Sequence, residues 1–116
     1  MRLLPREQDR LLIFLAAELA RKRRGRGLRL GQAEAVALIT DETMEAARDG
    51  GSYQAVEQRG YQVLGRDDVL PGVADIVDRI ELEALFGDGS RLIVLDHPIL
   101  RDAPRRADAP DDQPVW

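Results

Sequence analysis

The 116-residue chain contains no cysteine, one histidine and only five aromatic residues. The lack of cysteine excludes a disulfide framework and a thiolate metal site, and one histidine cannot build a multi-histidine metal site. No apolar run has the length of a signal peptide or a membrane-spanning helix, so we expect a cytoplasmic protein without a membrane role. The scarcity of aromatic residues leaves the core to Leu, Ile, Val and Ala.

The size and charge of the chain favour one small domain that contacts other macromolecules. A chain of this length buries only about 60 to 70% of the surface of its unfolded state, so a partner would add to its stability. The net charge is −4, but residues 1–29 carry nine basic and three acidic side chains, which leaves −10 for the remainder. The two parts are expected to attract surfaces of opposite charge.

The first predicted helix covers residues 5 to about 24. Pro5 suits a first helical turn, where its missing N–H costs nothing. Gly25 and Gly27 are expected to end the helix, and the cations before them lie where the helix dipole favours positive charge. Apolar residues recur at helical spacing and form one stripe, which consists of Leu11, Phe14, Leu15 and Leu19 and is widened by Leu12 and Ala16.

Two further helices are predicted before residue 61. The second should cover residues 32–49, with Gly50 as its left-handed cap. Ser52 can cap a third, shorter helix that reaches about residue 59 and stops at Gly60. One face of the second helix is expected to consist of Val36, Ile39, Thr43 and Ala47.

Residues 66–73, RDDVLPGV, are predicted to form a structured connector rather than a plain solvent loop. One of the adjacent acids can cap a short helical turn, Val69 and Leu70 can anchor it, and the Pro-Gly pair redirects the chain. A single-turn or irregular segment is expected at residues 73–78.

The apolar period then changes from 3.6 to 2, which predicts a β-hairpin. Ile80, Leu82, Ala84 and Phe86 alternate with a second set of residues, Arg79, Glu81, Glu83 and Leu85. GDG at residues 87–89 is expected to form the turn, and residues 91–95 the second strand. Because a lone hairpin is marginal in water, it must pack on the helices or add to a sheet in another subunit.

No residue pattern in the chain predicts catalysis, cofactor binding or metal binding. We interpret His97 as a hydrogen-bonding residue at the end of the hairpin rather than a metal ligand. Asp67 and Asp68 are adjacent, so their side chains diverge, and capping is favoured over acid-base catalysis.

One basic segment, residues 21–29, would suit phosphate groups because it carries six cations. It lacks interleaved aromatic residues, and the chain is acidic overall. We therefore favour a solvated or protein-contacting patch over a nucleic-acid site.

Five segments in the same order and spacing resemble the gamma subunit of bacterial urease. They are PRE at residues 5–7 before LLIF at 11–14, EAVALI at 34–39, ARDG at 47–50, RDDVLPGV at 66–73 and EALFGDG at 83–89. The resemblance runs without an evident gap from residue 1 to about residue 99. It implies an α+β, mainly helical fold with three to four helices and a C-terminal two-stranded antiparallel hairpin. We expect a domain at residues 1–100 and a mobile tail at residues 101–116.

The resemblance implies a non-catalytic structural subunit of a nickel-dependent urease, which hydrolyses urea to ammonia and carbamate. Nickel would lie on a partner alpha subunit, as a dinuclear centre bridged by a carbamylated lysine. The implied partners are beta and alpha subunits in a trimer of heterotrimers. The alternative is a free-standing gamma-like binding or regulatory protein. Candidate partner-contact residues are Arg23, Arg26, Phe86 and Leu92.

The chain departs from the family pattern at both of its first two helix starts. Leu4 stands where the family usually has Thr, which gives up a cap worth about 1 kcal/mol. Gly31 replaces an Asn cap before the second helix, so we expect a looser start there. The family's histidine usually lies one position earlier, where this chain has Asp96.

Overall fold

The computed structural model describes residues 2–99 and confirms the α+β, mainly helical fold with a C-terminal hairpin. The expectations for residues 100–116 lie outside the described part. The elements, in chain order, are α1 (Pro5–Gly25), α2 (Gln32–Arg48), α3 (Tyr53–Tyr61), a 3₁₀ turn (Arg66–Asp68), α4 (Val73–Ile76), β1 (Arg79–Phe86) and β2 (Gly89–Asp96).

Acidic side chains hold the starts of α1 and α2, whose N-cap residues supply no capping side chain. A carboxylate oxygen of Glu7 accepts the Leu4 N–H at 2.8 Å, and a carboxylate oxygen of Glu34 accepts the Gly31 N–H at 2.8 Å. Each bond satisfies a backbone donor that would otherwise face the helix start unpaired.

The core lies between α2 and the hairpin. β1 alternates strictly between exposed and buried residues, β1 packs against α2, and β2 packs against α3. The predicted face of α2 is confirmed, because Ile39, Thr43 and Ala47 are buried and Val36 is packed against the core. The inward-facing residues of the hairpin are Ile80, Leu82, Ala84, Phe86, Ile93 and Leu95.

The prediction that Gly60 stops α3 is wrong, because the helix continues through Gly60 to Tyr61. A Cβ atom at Gly60 would lie 2.6 Å from Cδ1 of Leu95 and 3.0 Å from Oγ1 of Thr43. The glycine therefore permits close packing of α3 against β2 and α2.

The connector binds back onto the segment before α2. Asp68 accepts the Gly65 N–H at 2.7 Å, which confirms the predicted acidic cap. Leu30 donates to the Asp68 carbonyl at 3.0 Å and accepts from Leu70 at 2.9 Å. Val69 is buried, but Leu70 is exposed, so only the first of the two predicted anchors lies in the core.

The chain leaves the hairpin through His97, whose φ of 48° lies in the left-handed region. Its main-chain N–H donates to the Asp78 carbonyl at 2.8 Å.

Among residues 2–99, no helix combines the length and apolar character needed to cross a bilayer.

Candidate interaction surface

The first helix carries its large apolar residues on the side away from the rest of the chain. Leu12 and Leu15 are 62% and 60% exposed, whereas Ala17 and Ala20 are fully buried. The predicted apolar stripe thus exists on a helix, but it does not enter this chain's own core. We call its four leucines, all at least 45% exposed, the leucine face: Leu11, Leu12, Leu15 and Leu19.

Small side chains on the inner side of α1 explain this arrangement. Ala17 and Ala20 are buried on the inner side of α1, and their small side chains let its backbone approach α2 closely. Helical geometry then directs residues 11, 15 and 19 to the opposite side, since residues four apart share a face.

Ion pairs hold the inner side of α1 against α2. The Asp41 side chain is 1% exposed; its Oδ1 accepts from Arg10 Nη1 at 2.7 Å, and its Oδ2 accepts from Arg21 Nη2. Arg10 and Arg21 are eleven residues apart, about 16 Å along one helix face. We call these three residues the Asp41 clamp.

The outer members of the Asp41 clamp have additional acidic partners. Arg10 also donates to Glu45 at 2.7 Å, and Arg21 donates to Glu18. Burial alone would lower the pKa of Arg21, but hydrogen bonds to Asp41 and Glu18 outweigh it and raise the pKa. The positive charge of Arg21 is therefore held in place by carboxylates of two helices.

Part of the basic segment also forms contacts within the chain. Arg23 Nη1 donates to a Glu34 carboxylate oxygen at 2.9 Å, and Arg24 Nη2 lies 3.5 Å from Asp68 Oδ1. Burial would raise the pKa of Glu34, but the Arg23 guanidinium and the Gly31 N–H together lower it. With Arg21 in the clamp, three of the six cations serve contacts within the chain. In the described range, ion pairs do not involve the exposed Lys22, Arg26 and Arg29.

A cleft of about 160 Å³ between α1, α2 and α3 is lined by Arg21, Arg24, Glu42 and Arg59, among others. Glu42 accepts from Arg21 at 3.4 Å and from Arg59 at 3.1 Å, so this carboxylate offsets part of the positive charge that lines the cleft. Its volume is below the roughly 300 to 1,000 Å³ of ordinary small-molecule sites. The leucine face is thus the most prominent surface feature without a partner in residues 2–99.

The family model for "Urease, gamma subunit" matches residues 1–99. The chain belongs to the urease gamma-subunit family. It is similar to proteins named "Urease subunit gamma/beta" from Streptomyces coelicolor, at 60% identity, and Streptomyces avermitilis, at 61% identity, each over 99 residues. Each match covers 85% of this chain and 44% of the relative, so the chain spans less than half the length of these relatives.

The four candidate contact residues of this gamma-family chain lie in two separate regions, the end of the first helix and the hairpin. Arg23 and Arg26 lie at the end of α1, the first paired with Glu34 and the second exposed. Leu92 is half-exposed on the hairpin. Phe86 is only 8% exposed, and its ring lies 5.8 Å from that of Tyr53, so it packs within the chain's own core.

Sequence reasoning missed both the orientation of the leucine face and the Asp41 clamp. The sequence did contain one signal for the Asp41 clamp. Arg10 and Arg21 are eleven residues apart, so they lie on the same helix face as Ala17, opposite the leucines. Within residues 2–99, no group of three or more His, Cys, Asp or Glu side chains is arranged to hold a metal ion.

Proposed function

We propose that this chain is a non-catalytic structural subunit of a nickel-dependent urease, which hydrolyses urea to ammonia and carbamate. Membership of the gamma-subunit family supports a role in urease. Nickel and the reacting urea would lie on a partner alpha subunit, as membership of the gamma-subunit family implies. This chain would contribute to assembly.

The leucine face is the observation that carries the proposal. Burying one leucine side chain completely stabilises a protein by about 1.5 to 3 kcal/mol. Four exposed leucines on one side of a helix therefore leave a large stabilisation unused in the isolated chain. Contiguous apolar patches of this kind mark protein interfaces.

The proposed partners are urease beta and alpha subunits, arranged as a trimer of heterotrimers. The relatives named "Urease subunit gamma/beta" support a beta-type neighbour, because their name joins both subunits in one chain. Exposed Lys22, Arg26 and Arg29 near the end of α1 would steer the encounter with an acidic surface. We also propose that the complex lies in the cytoplasm.

The test introduces charge into the leucine face without disturbing the core. The double variant Leu12→Glu/Leu15→Glu is co-expressed with the beta and alpha subunits, and assembly is followed by size-exclusion chromatography and urease activity. We expect the variant chain to be lost from the complex, because buried unpaired carboxylates are strongly unfavourable. The isolated variant should keep the circular dichroism spectrum of the unaltered chain, since both side chains are exposed.

Ile76→Glu on α4 is the matched control, because Ile76 is exposed to a similar degree outside the leucine face. It should enter the complex normally. Normal assembly of the double variant would contradict the proposal that the leucine face is the interface. Failure of the unaltered chain to join beta and alpha subunits would instead favour a free-standing gamma-like protein.

A further inference from the structure

The two edges of the hairpin differ in the state of their backbone groups. Phe86 and Gly89 pair across a two-residue turn, so every second residue of each strand directs its N–H and C=O away from the other strand. The outward residues of β2 include Leu92 and Asp96. Those of β1 are Arg79, Glu81, Glu83 and Leu85.

The edge of β2 is covered by α3. The hydroxyl of Tyr53 donates to the Leu92 carbonyl at 2.8 Å, and the Asp96 N–H donates to the Tyr61 oxygen at 2.9 Å. These two bonds confirm that residues 92 and 96 direct backbone groups outward. They also occupy the positions that an added strand would need.

The edge of β1 has no such cover in the described part of the chain. No hydrogen bond within residues 2–99 reaches the outward backbone groups of Glu81 or Glu83, and the side chains of both residues are exposed. An unpaired edge of this length is a template for an added strand. The fold therefore covers one edge with tyrosines and leaves the other available.

The charges along β1 select the kind of strand that fits. In the antiparallel register that pairs residue 79 with residue 85, two copies of β1 would place Glu81 opposite Glu83 twice, which is destabilising. Glu81 Oε1 forms an ion pair with Arg79 Nε at 3.3 Å, whereas Glu83 has no ion pair in the described range. A strand with Lys or Arg at alternate positions would oppose both carboxylates favourably.

We propose that the free edge of β1 accepts an extended segment of a partner urease subunit that carries Lys or Arg at alternate positions. The segment pairs with the outward groups of β1 and forms a three-stranded sheet. Its basic residues lie beside Glu81 and Glu83. This inference rests on the proposed function, because it requires the partner subunits.

Hydrogen–deuterium exchange, resolved to single residues by mass-spectrometric fragmentation, tests the strand addition. The full chain is compared alone and after assembly with beta and alpha subunits. The amides of Glu81 and Glu83 should exchange rapidly in the isolated chain and at least about 100-fold more slowly in the complex. The amide of Leu82, which faces β2, should be protected in both samples and is the internal control.

Two variants separate the backbone from the side chain. Glu83→Pro and Glu83→Ala both remove the carboxylate, but only proline removes the outward N–H, which an edge strand tolerates. The proline variant should bind the partner subunits about tenfold more weakly than the alanine variant. Thermal melting of each isolated variant verifies that the hairpin remains folded.

The outcomes are distinguishable. Rapid exchange at residues 81 and 83 in an assembled complex overturns the strand addition and leaves the proposed function standing. Slow exchange in the isolated chain that depends on its concentration also overturns it, because the occupant is then a second copy. A chain that enters no complex overturns the proposed function and the strand addition together.

Discussion

The first helix differs from the unit formed by α2 and the hairpin in the kind of side chain that it buries. α2 and the hairpin bury large aliphatic residues against each other, among them Ile39, Ile93 and Leu95. α1 buries alanines and arginine–carboxylate contacts, and directs its leucines outward. The stability of the chain is thus concentrated in the second unit, and the apolar surface of the first is available for other chains.

The largest expected difference in the free energy of unfolding is between a leucine-to-alanine substitution in the hairpin and the same substitution in α1. Leu95→Ala should lower the free energy of unfolding by about 2 to 5 kcal/mol, because it leaves a cavity in the core. Leu15→Ala should change it by about 0.5 kcal/mol or less, since the side chain is mostly exposed. Urea denaturation of the two variants measures the difference. Equal midpoints would show that the leucine face already packs within the isolated chain.

Asp41→Asn tests how α1 is attached. The variant keeps the shape of the side chain but removes the charge that holds Arg10 and Arg21, so we expect a loss of about 1 to 3 kcal/mol. The loss is below that of a fully buried pair because both guanidinium groups are about 30% exposed. Glu45→Gln, at the exposed end of the same network, is the control, and its effect should be about 0.5 kcal/mol or less. A control effect as large as that of Asp41→Asn would argue against a central role of the buried carboxylate.

The smallest expected effect is the pH dependence contributed by Glu34. Its pKa is lowered in the folded chain, so the stability it contributes is present above its unfolded pKa and is lost as pH falls through the folded pKa. Glu34→Gln should therefore lower the melting temperature at neutral pH and reduce the fall in melting temperature below about pH 4.5.

Glu57→Gln is the matched control for this measurement, because Glu57 is also partly buried and forms no ion pair in the described range. Its melting temperature should follow that of the unaltered chain at every pH. Parallel curves for Glu34→Gln and the unaltered chain would contradict the assigned contribution of Glu34.

Local patterns predicted most of the fold because they reflect short-range physics. The alternation over residues 79–86, the turn at residues 87–89 and the cap at Ser52 all depend on neighbouring residues, and all are present in the structure. Gly60 was misread because its role depends on Leu95, a contact between distant parts of the chain. A helix-breaking propensity of about 1 kcal/mol is easily overcome by such packing.

The candidate surface was harder to predict than the fold. Helical spacing shows that Leu11, Leu15 and Leu19 share a face, but it does not show whether that face meets the same chain or another one. The answer depends on the alanines and arginines of the opposite side, which approach α2 closely and pair with its acids. The partner contacts predicted at Arg23, Arg26, Phe86 and Leu92 stay predictions.

The Asp41 clamp has a consequence for the speed and strength of association. Its two arginines lie about 16 Å apart along α1 and converge on one carboxylate of α2, so the helix is restrained from rotating about its own axis. The leucines are therefore already oriented before a partner arrives. Binding to a preorganised surface requires little loss of backbone entropy, and a larger part of the apolar burial remains as affinity.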